Sequence, residues 1–377
     1  MKIVIAPDSF KENLTAAEVA NSIEAGFKQI IPDAEYVKVP VADGGEGTLQ
    51  SLVDATEGRF IEKSVTGPLG QSVKACFGLL GDGKTAVIEM ARASGLELVA
   101  PEDRNPLITT SYGTGELIHA ALELGVEKII VGIGGSATND GGTGMMQALG
   151  AKLLAVDGCE LGFGGAALAN LAKIDISALN KRLQSVEIIA ACDVDNPLTG
   201  SKGASAVFGP QKGADLMMVE QLDSALSHYA QIIEKDLGVS VHSVPGAGAA
   251  GGMGAALLAF MNASLKPGID IVMDAVSLAE QVKGAHLVIT GEGRIDGQTA
   301  QGKTPVGVAR IAKAENIPVI ALAGSVGKGV EAVYEQGIDA LFPVVHGAVS
   351  LEEAFDHGAN NLTRAARNLA AVVKMSL

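Results

Sequence analysis

The 377-residue chain has no tryptophan, and aromatic residues make up only 3% of it. Its core must therefore be filled by the aliphatic residues that bring it to 47% apolar, with a mean hydropathy of +0.30. Cysteine is also scarce: Cys76, Cys159 and Cys192 are odd in number, widely spaced and form no CxxC. That argues against a disulfide framework and for reduced thiols in a cytoplasmic protein. The six histidines show no metal-ligand spacing, so zinc chemistry has no support. No GxSxG is present, so acyl-transfer hydrolysis lacks its nucleophile elbow. Basic residues are outnumbered, with 28 Lys and Arg against 43 Asp and Glu, a net charge of −15. Such a balance argues against a nucleic-acid partner, although local cations can still hold a small anion. The apolar stretch at the N-terminus is too short for a signal peptide. Residues 237–265 carry no Asp, Glu, Lys or Arg, but Pro245 and many Gly and Ala interrupt them. The expectation there is a glycine-rich loop feeding a buried helix, not a membrane span.

What the chain has in quantity is glycine, 48 residues with no fixed period. Four loops combine it with carboxylates or Asn/Thr: Asp43-Gly-Gly-Glu-Gly-Thr48, Gly132-Ile-Gly-Gly-Ser-Ala-Thr-Asn-Asp-Gly-Gly-Thr-Gly144, Pro245-Gly-Ala-Gly-Ala-Ala-Gly-Gly-Met-Gly254 and Gly291-Glu-Gly-Arg-Ile-Asp-Gly-Gln-Thr-Ala-Gln-Gly-Lys-Thr304. Glycine lets a ligand approach the backbone closely, and a following helix N-terminus favours an anion. Carboxylates in the same loops suit Mg²⁺ held between protein and phosphate. Together these point to nucleotide phosphate chemistry.

Residues 2–7 read as a strand, and 15–31 as a helix capped by Thr15 with Glu18 three residues on. Residues 36–41 read as a strand and 48–55 as a helix. Three short extended runs, 60–65, 72–80 and 85–90, then suggest antiparallel strands. Further helices are expected at 111–124, 145–149 and 216–237, with strands at 128–131, 152–156 and 186–191. From 287 the alternation is regular, with strands at 287–289, 318–322 and 340–342 and helices at 306–315, 329–336 and 351–373. This alternation predicts a parallel sheet. The expected architecture is α/β: a doubly wound, flavodoxin-like parallel-sheet domain made from both chain ends (1–65 plus 268–377), with a second α/β domain (66–267) inserted.

Two loops match well-known motifs poorly. Gly297-Gln-Thr-Ala-Gln-Gly-Lys-Thr304 satisfies G-x-x-x-x-G-K-[ST], but the expected strand ends near 290, leaving Gly-Glu-Gly-Arg-Ile-Asp between. Gly132-Ile-Gly-Gly-Ser-Ala137 satisfies G-x-G-x-x-G/A, and Asp157 follows the next strand where a ribose-binding acid belongs. The residues after it, Thr-Asn-Asp-Gly-Gly-Thr-Gly, are poor helix formers, each interior Gly costing about 1 kcal/mol. An NAD-dependent oxidoreductase using the Gly132 loop is the alternative reading.

Acids recur after the expected strands: Asp8, Asp43 with Glu46, Asp193 with Asp195, and Glu292 with Asp296. In open α/β sheets ligands bind beyond the carboxyl ends of strands, so these acids share one edge. The segments Ala6-Pro-Asp-Ser-Phe-Lys11, Val41-Ala-Asp-Gly-Gly-Glu-Gly-Thr48, Gly132 to Gly142, Asp193-Val-Asp-Asn-Pro-Leu-Thr-Gly200, Phe208-Gly-Pro-Gln-Lys-Gly-Ala214, Pro245 to Gly252 and Gly291-Glu-Gly-Arg-Ile-Asp296 together resemble the bacterial type-1 glycerate kinases. The resemblance covers essentially the whole chain in the same order. It implies ATP-dependent phosphorylation of D-glycerate by a non-P-loop kinase, with the site in the cleft of a two-domain α/β fold. The cofactors implied are ATP and Mg²⁺. The partners are glycerate and a nucleotide, with no nucleic acid, no membrane and a homo-oligomer compatible with the sequence.

Phosphoryl transfer needs charge neutralisation and a base near the attacking hydroxyl. Asp193 is the expected base or Mg²⁺ ligand, with Asp43, Asp8 and Lys11 also catalytic. Asp43, Asp193 and Asp195 are the metal candidates. Ser9, Lys212 and Arg294 are the substrate-binding candidates, because glycerate carries a carboxylate. The nucleotide is expected on Gly134, Gly135, Ser136, Asn139, Asp140, Gly248, Gly251, Glu292, Asp296 and Lys303. The position of the phosphorylated hydroxyl, C2 or C3, is not readable from these residues.

Overall fold

The computed structural model describes residues 1–42 and 47–375. Asp43 and Glu46 therefore lie outside the described residues. Thirteen strands occur among those described: β1 (Lys2–Ile5), β2 (Glu35–Lys38), β3 (Arg59–Thr66), β4 (Ser72–Leu79), β5 (Thr85–Glu89), β6 (Lys128–Gly132), β7 (Lys152–Leu154), β8 (Lys173–Asp175), β9 (Glu187–Ala191), β10 (Ser264–Lys266), β11 (Leu287–Ile295), β12 (Val319–Val326) and β13 (Ala340–Pro343). The chain divides into two compact units, Met1–Thr56 with Ile269–Leu377, and Glu57–Gly268. The changeover falls at 56/57 rather than at 65/66, because residues 59–66 pair along their whole length with β4.

The first unit holds a five-stranded sheet in the order β13-β12-β11-β1-β2, with every pair parallel. Ile3, Val4 and Ile5 of β1 are fully buried. A continuous apolar run of this kind is what a strand covered on both faces requires. Counted within the unit, the order is 2-1-3-4-5, so chain progression reverses between β1 and β11. That is the switch point at which open α/β sheets take ligands.

Helix Ala16–Lys28 begins with the expected capping box, Thr15 and Glu18 bonding reciprocally. Its apolar face, Val19, Ile23 and Phe27, packs with Leu362, Ala366 and Leu369 of helix Gly358–Met375. Each of the larger buried side chains contributes about 1.5–3 kcal/mol. Gly26 permits this approach: a Cβ there would lie 2.4 Å from the Thr363 carbonyl oxygen. The single helix expected over 351–373 is two, Leu351–Asp356 and Gly358–Met375. Asn13 closes the break by donating from Nδ2 to the Phe355 carbonyl at 2.7 Å.

β11 corrects the sequence reading most. It runs to Ile295, paired with β12 as far as Ile295 and Val326. Gly291 and Gly293 read as strand-ending, yet Gly291 is required inside the strand: a Cβ there would lie 2.2 Å from the Leu322 carbonyl oxygen. The Gly297 to Thr304 loop thus does follow a strand, with only Asp296 between. Its own bonding is what separates it from a phosphate-wrapping loop. The N–H groups of Gln298, Thr299, Gln301, Gly302 and Lys303 all donate within the loop. They are not pooled for an anion as a Walker loop requires.

The second unit holds a six-stranded sheet in the order β10-β9-β6-β5-β4-β3. β5, β6, β9 and β10 are parallel, and β3 and β4 add the expected antiparallel hairpin. β7 and β8 form a separate antiparallel pair. Helix Leu216–Leu237 starts where Asp215 caps the Met218 N–H and ends at left-handed Gly238. The uncharged segment forms the buried 13-residue helix Ala249–Met261, entered through the non-helical Ala250, Gly251 and Gly252. Among the described residues no helix is long and apolar enough to cross a membrane.

Candidate active site

At the switch point the first unit has a cavity of about 590 Å³, whose lining includes Asp8, Ser9, Lys11, Glu292, Arg294 and Lys303. Six residues singled out in the sequence thus share one pocket. Asp8 follows β1 and is 4% exposed. Its Oδ1 accepts from the Ser9 N–H at 2.6 Å and the Ser9 hydroxyl at 3.2 Å. Its Oδ2 accepts from the buried Thr304 hydroxyl at 2.6 Å. Glu292, on β11, is 8% exposed and accepts at Oε1 from the buried Thr299 hydroxyl. Buried carboxylates are stable only when hydrogen-bonded in this way.

The cations of the lining are less buried than the carboxylates. Lys11 is exposed, Arg294 bonds Asp296 through Nε at 3.1 Å, and Lys303 occupies the N-cap of helix Thr304–Ala314 without capping it by its side chain. Asp296 is not part of the lining. The Gln298 N–H, assisted by the Arg294 and Lys303 charges, holds its carboxyl below the usual range. Asp296 therefore works on the loop and on Arg294. Ser325, Asn13 and Asn361 also line the pocket and carried no sequence signal. Thr304 and Thr299 did carry one, inside the rejected G-x-x-x-x-G-K-[ST] match.

The remaining candidates belong to the second unit. Asp193 follows β9, is exposed, and accepts from the Gly268 N–H at 2.9 Å; Asp195 is exposed beside it. Gly134 and Gly135 are exposed on the loop after β6, with no atom within 4 Å of a Cβ built on Gly134. The rest of that loop faces inward. Asn139 is buried and donates to Ser205 Oγ at 3.0 Å. Asp140 is wholly buried and accepts from the Ser111 N–H and hydroxyl, both at 2.8 Å, and from the Gly142 and Gly144 N–H groups at 3.1 and 3.3 Å. Burial nonetheless pushes its carboxyl up.

Lys212 differs from its expected role. It is 1% exposed, and its Nζ donates to Ser136 Oγ at 2.7 Å and to the Thr138 carbonyl at 2.6 Å. Burial pulls its ammonium down to about 7, with the Asp140 charge opposing. It fastens the loop and offers no exposed cation to a substrate carboxylate. Gly248 and Gly251 are likewise committed to the chain itself. A Cβ on either would lie 2.1 Å from the Pro197 carbonyl oxygen or 2.0 Å from that of Thr138. Neither presents an open face to a phosphate.

Comparison with known proteins gives a consistent result. The model of the glycerate kinase family matches residues 3–374. A glycerate kinase of Bacillus subtilis (strain 168) is 61% identical over 376 residues, covering 100% of this chain and 98% of that one. A glycerate 2-kinase of Escherichia coli (strain K12) is 59% identical over 377 residues, covering 100% and 99%. A crystal structure from Salmonella typhimurium LT2, whose protein carries the provisional designation glycerate kinase 2, superimposes with a TM-score of 0.93 at 57% identity, covering 100% and 99%.

Proposed function

The chain belongs to the glycerate kinase family and is a phosphotransferase with an alcohol acceptor; from that premise we propose that the switch-point pocket of the first unit binds glycerate and delivers its hydroxyl to the γ-phosphoryl group of ATP. The observation that carries this reading is the composition of the pocket: two buried carboxylates, Asp8 and Glu292, share its lining with three cations, Lys11, Arg294 and Lys303. Glycerate offers one carboxylate for the cations and a hydroxyl for a carboxylate base. The Gly132 loop supports no dinucleotide reading, since most of it is buried in contact with its own unit.

Asp8 is the favoured base over Asp193. Asp8 lines the pocket that also holds the three cations and is 4% exposed, whereas Asp193 lies in the second unit and is exposed. The hydroxyl proton passes to Asp8, the glycerate oxygen bonds to phosphorus, and the bond from phosphorus to the departing ADP oxygen breaks. Lys11, Arg294 and Lys303 spread the charge that develops on the transferring oxygens.

Mg²⁺ suits the hard oxygen donors Asp193 and Asp195, with Asp43 a further candidate. Among the described residues no three His, Cys, Asp or Glu side chains form a closed metal cage. Mg²⁺ is bound in such sites through one or two carboxylates plus phosphate oxygens. When bound it would neutralise phosphate charge. Gly134 and Gly135 are the exposed backbone that a nucleotide phosphate could approach.

The E. coli relative is a glycerate 2-kinase, and on that ground we assign the C2 hydroxyl as acceptor. We further propose a type-1 enzyme of the cytoplasm, on a doubly wound flavodoxin-like domain carrying an insertion; the order of its motifs along the chain supports this reading. The test is ³¹P NMR of the product made from D-glycerate and Mg²⁺-ATP, alongside Asp8→Asn. The expected results are 2-phosphoglycerate and a kcat at least 100-fold lower in the variant. Exclusive 3-phosphoglycerate sinks the regiochemistry, and an unimpaired Asp8→Asn sinks the base.

A further inference from the structure

The loop that imitates a Walker sequence has a different task. Its backbone N–H groups are consumed internally, but two of its threonine hydroxyls leave the loop. Thr304 Oγ1 donates to Asp8 Oδ2 at 2.6 Å, across 296 positions of sequence. Thr299 Oγ1 donates to Glu292 Oε1 and also accepts the Asp296 N–H at 3.1 Å. Both threonines are fully buried. A hydroxyl bond of this kind, sheltered from water, is strengthened by its surroundings and is costly to leave unmade.

We propose that Thr304 is a positioning residue for phosphoryl transfer, holding the Asp8 carboxylate in the orientation that meets the substrate hydroxyl, with Thr299 doing the same for Glu292. Thr304 touches no substrate; it acts through Asp8. Asp8 stands after the short strand β1, and its Oδ1 accepts from Ser9, its own neighbour. A bond to the adjacent residue can turn with the chain. The Thr304 bond instead ties the carboxylate to helix Thr304–Ala314, whose buried residues Pro305, Val308 and Ala309 are set in the core of the unit. Small errors in aiming a reactive group cost large factors in rate, which gives one hydroxyl leverage over kcat. Thr304, at the end of the loop, thus serves a carboxylate of the neighbouring strand.

This inference rests on the reading of Asp8 as the base. The test is a double-mutant cycle with Thr304→Val, Thr304→Ser, Asp8→Asn and the Thr304→Val/Asp8→Asn pair, each assayed by ADP release with both substrates varied. Thr304→Val is expected to lower kcat at least tenfold with both KM values within about threefold. Thr304→Ser should restore kcat to within about threefold, and the pair should be no slower than Asp8→Asn alone, as residues acting as a unit behave. If Asp8→Asn is slow but Thr304→Val turns over like the parent, the positioning role falls and the base survives. If Asp8→Asn is itself unimpaired, the underlying reading falls first. Equal losses in the Val and Ser variants, or additivity with Asp8→Asn, would mean a purely structural threonine and also overturn the proposal. Should Thr304→Val not fold, Thr304→Ala takes its place in the cycle.

Discussion

Lys212 makes a quantitative test of how the second unit is held. Its ammonium is wholly buried and lowered to about 7, against an ordinary lysine near 10.5. Between those values the unfolded chain binds the proton and the folded chain releases it. Stability therefore rises with pH across this window, and the penalty for holding a charged Lys212 inside is fully present below pH 7. The slope approaches about 1.4 kcal/mol per pH unit once the folded lysine is neutral. Moving from pH 7 to 8.5 should then stabilise the second unit by about 1.5 kcal/mol through this group alone. For a unit of that size the gain is about 3–6 °C in Tm. Other groups titrate over the same range, so the measured quantity is the difference between the parent and Lys212→Met. The parent should gain that increment by calorimetry and the variant should not. The variant will also be less stable overall, because Ser136 Oγ and the Thr138 carbonyl lose their donor at about 1–3 kcal/mol each. Identical pH dependence in the two proteins would refute the claim that a buried, readily neutralised lysine fastens this loop.

Two further outcomes follow from single contacts. Arg294→Ala removes a cation from the pocket lining without touching a buried group; KM for glycerate should rise about 10- to 100-fold, the value of one charge-assisted bond, and an unchanged KM would remove Arg294 from substrate binding. Gly251→Ala puts a side chain at φ +67° and within 2.0 Å of the Thr138 carbonyl oxygen; a loss of about 2–4 kcal/mol is expected, and a Tm equal to the parent's would show that the loop yields.

The match between sequence and structure was uneven for physical reasons. The capping box at Thr15 and Glu18, the apolar run of β1 and the helix from Leu216 to Gly238 rest on contacts a few residues long. Local spacing encodes such contacts, so they were legible. β11 extends beyond its expected end because Gly291 and Gly293 oppose strand formation only locally, while close packing on β12 requires glycine at 291. Lys212, Asp140, Gly248 and Gly251 have the residue types of a ligand site. Only their burial shows that they bind the chain's own loops instead.

By itself the sequence determined that acids follow strand after strand, that the fold is α/β, and that the chain resembles the glycerate kinases, because strand-end placement and motif order are properties of a linear pattern. Tertiary structure decided which of those acids share a pocket. Asp8, Glu292, Arg294 and Lys303 come together because the first and third strands of the unit lie side by side at a topological reversal, and Thr304 reaches Asp8 across 296 residues. A hydrogen bond of that span has no periodicity and no spacing rule; it exists only once the sheet has closed.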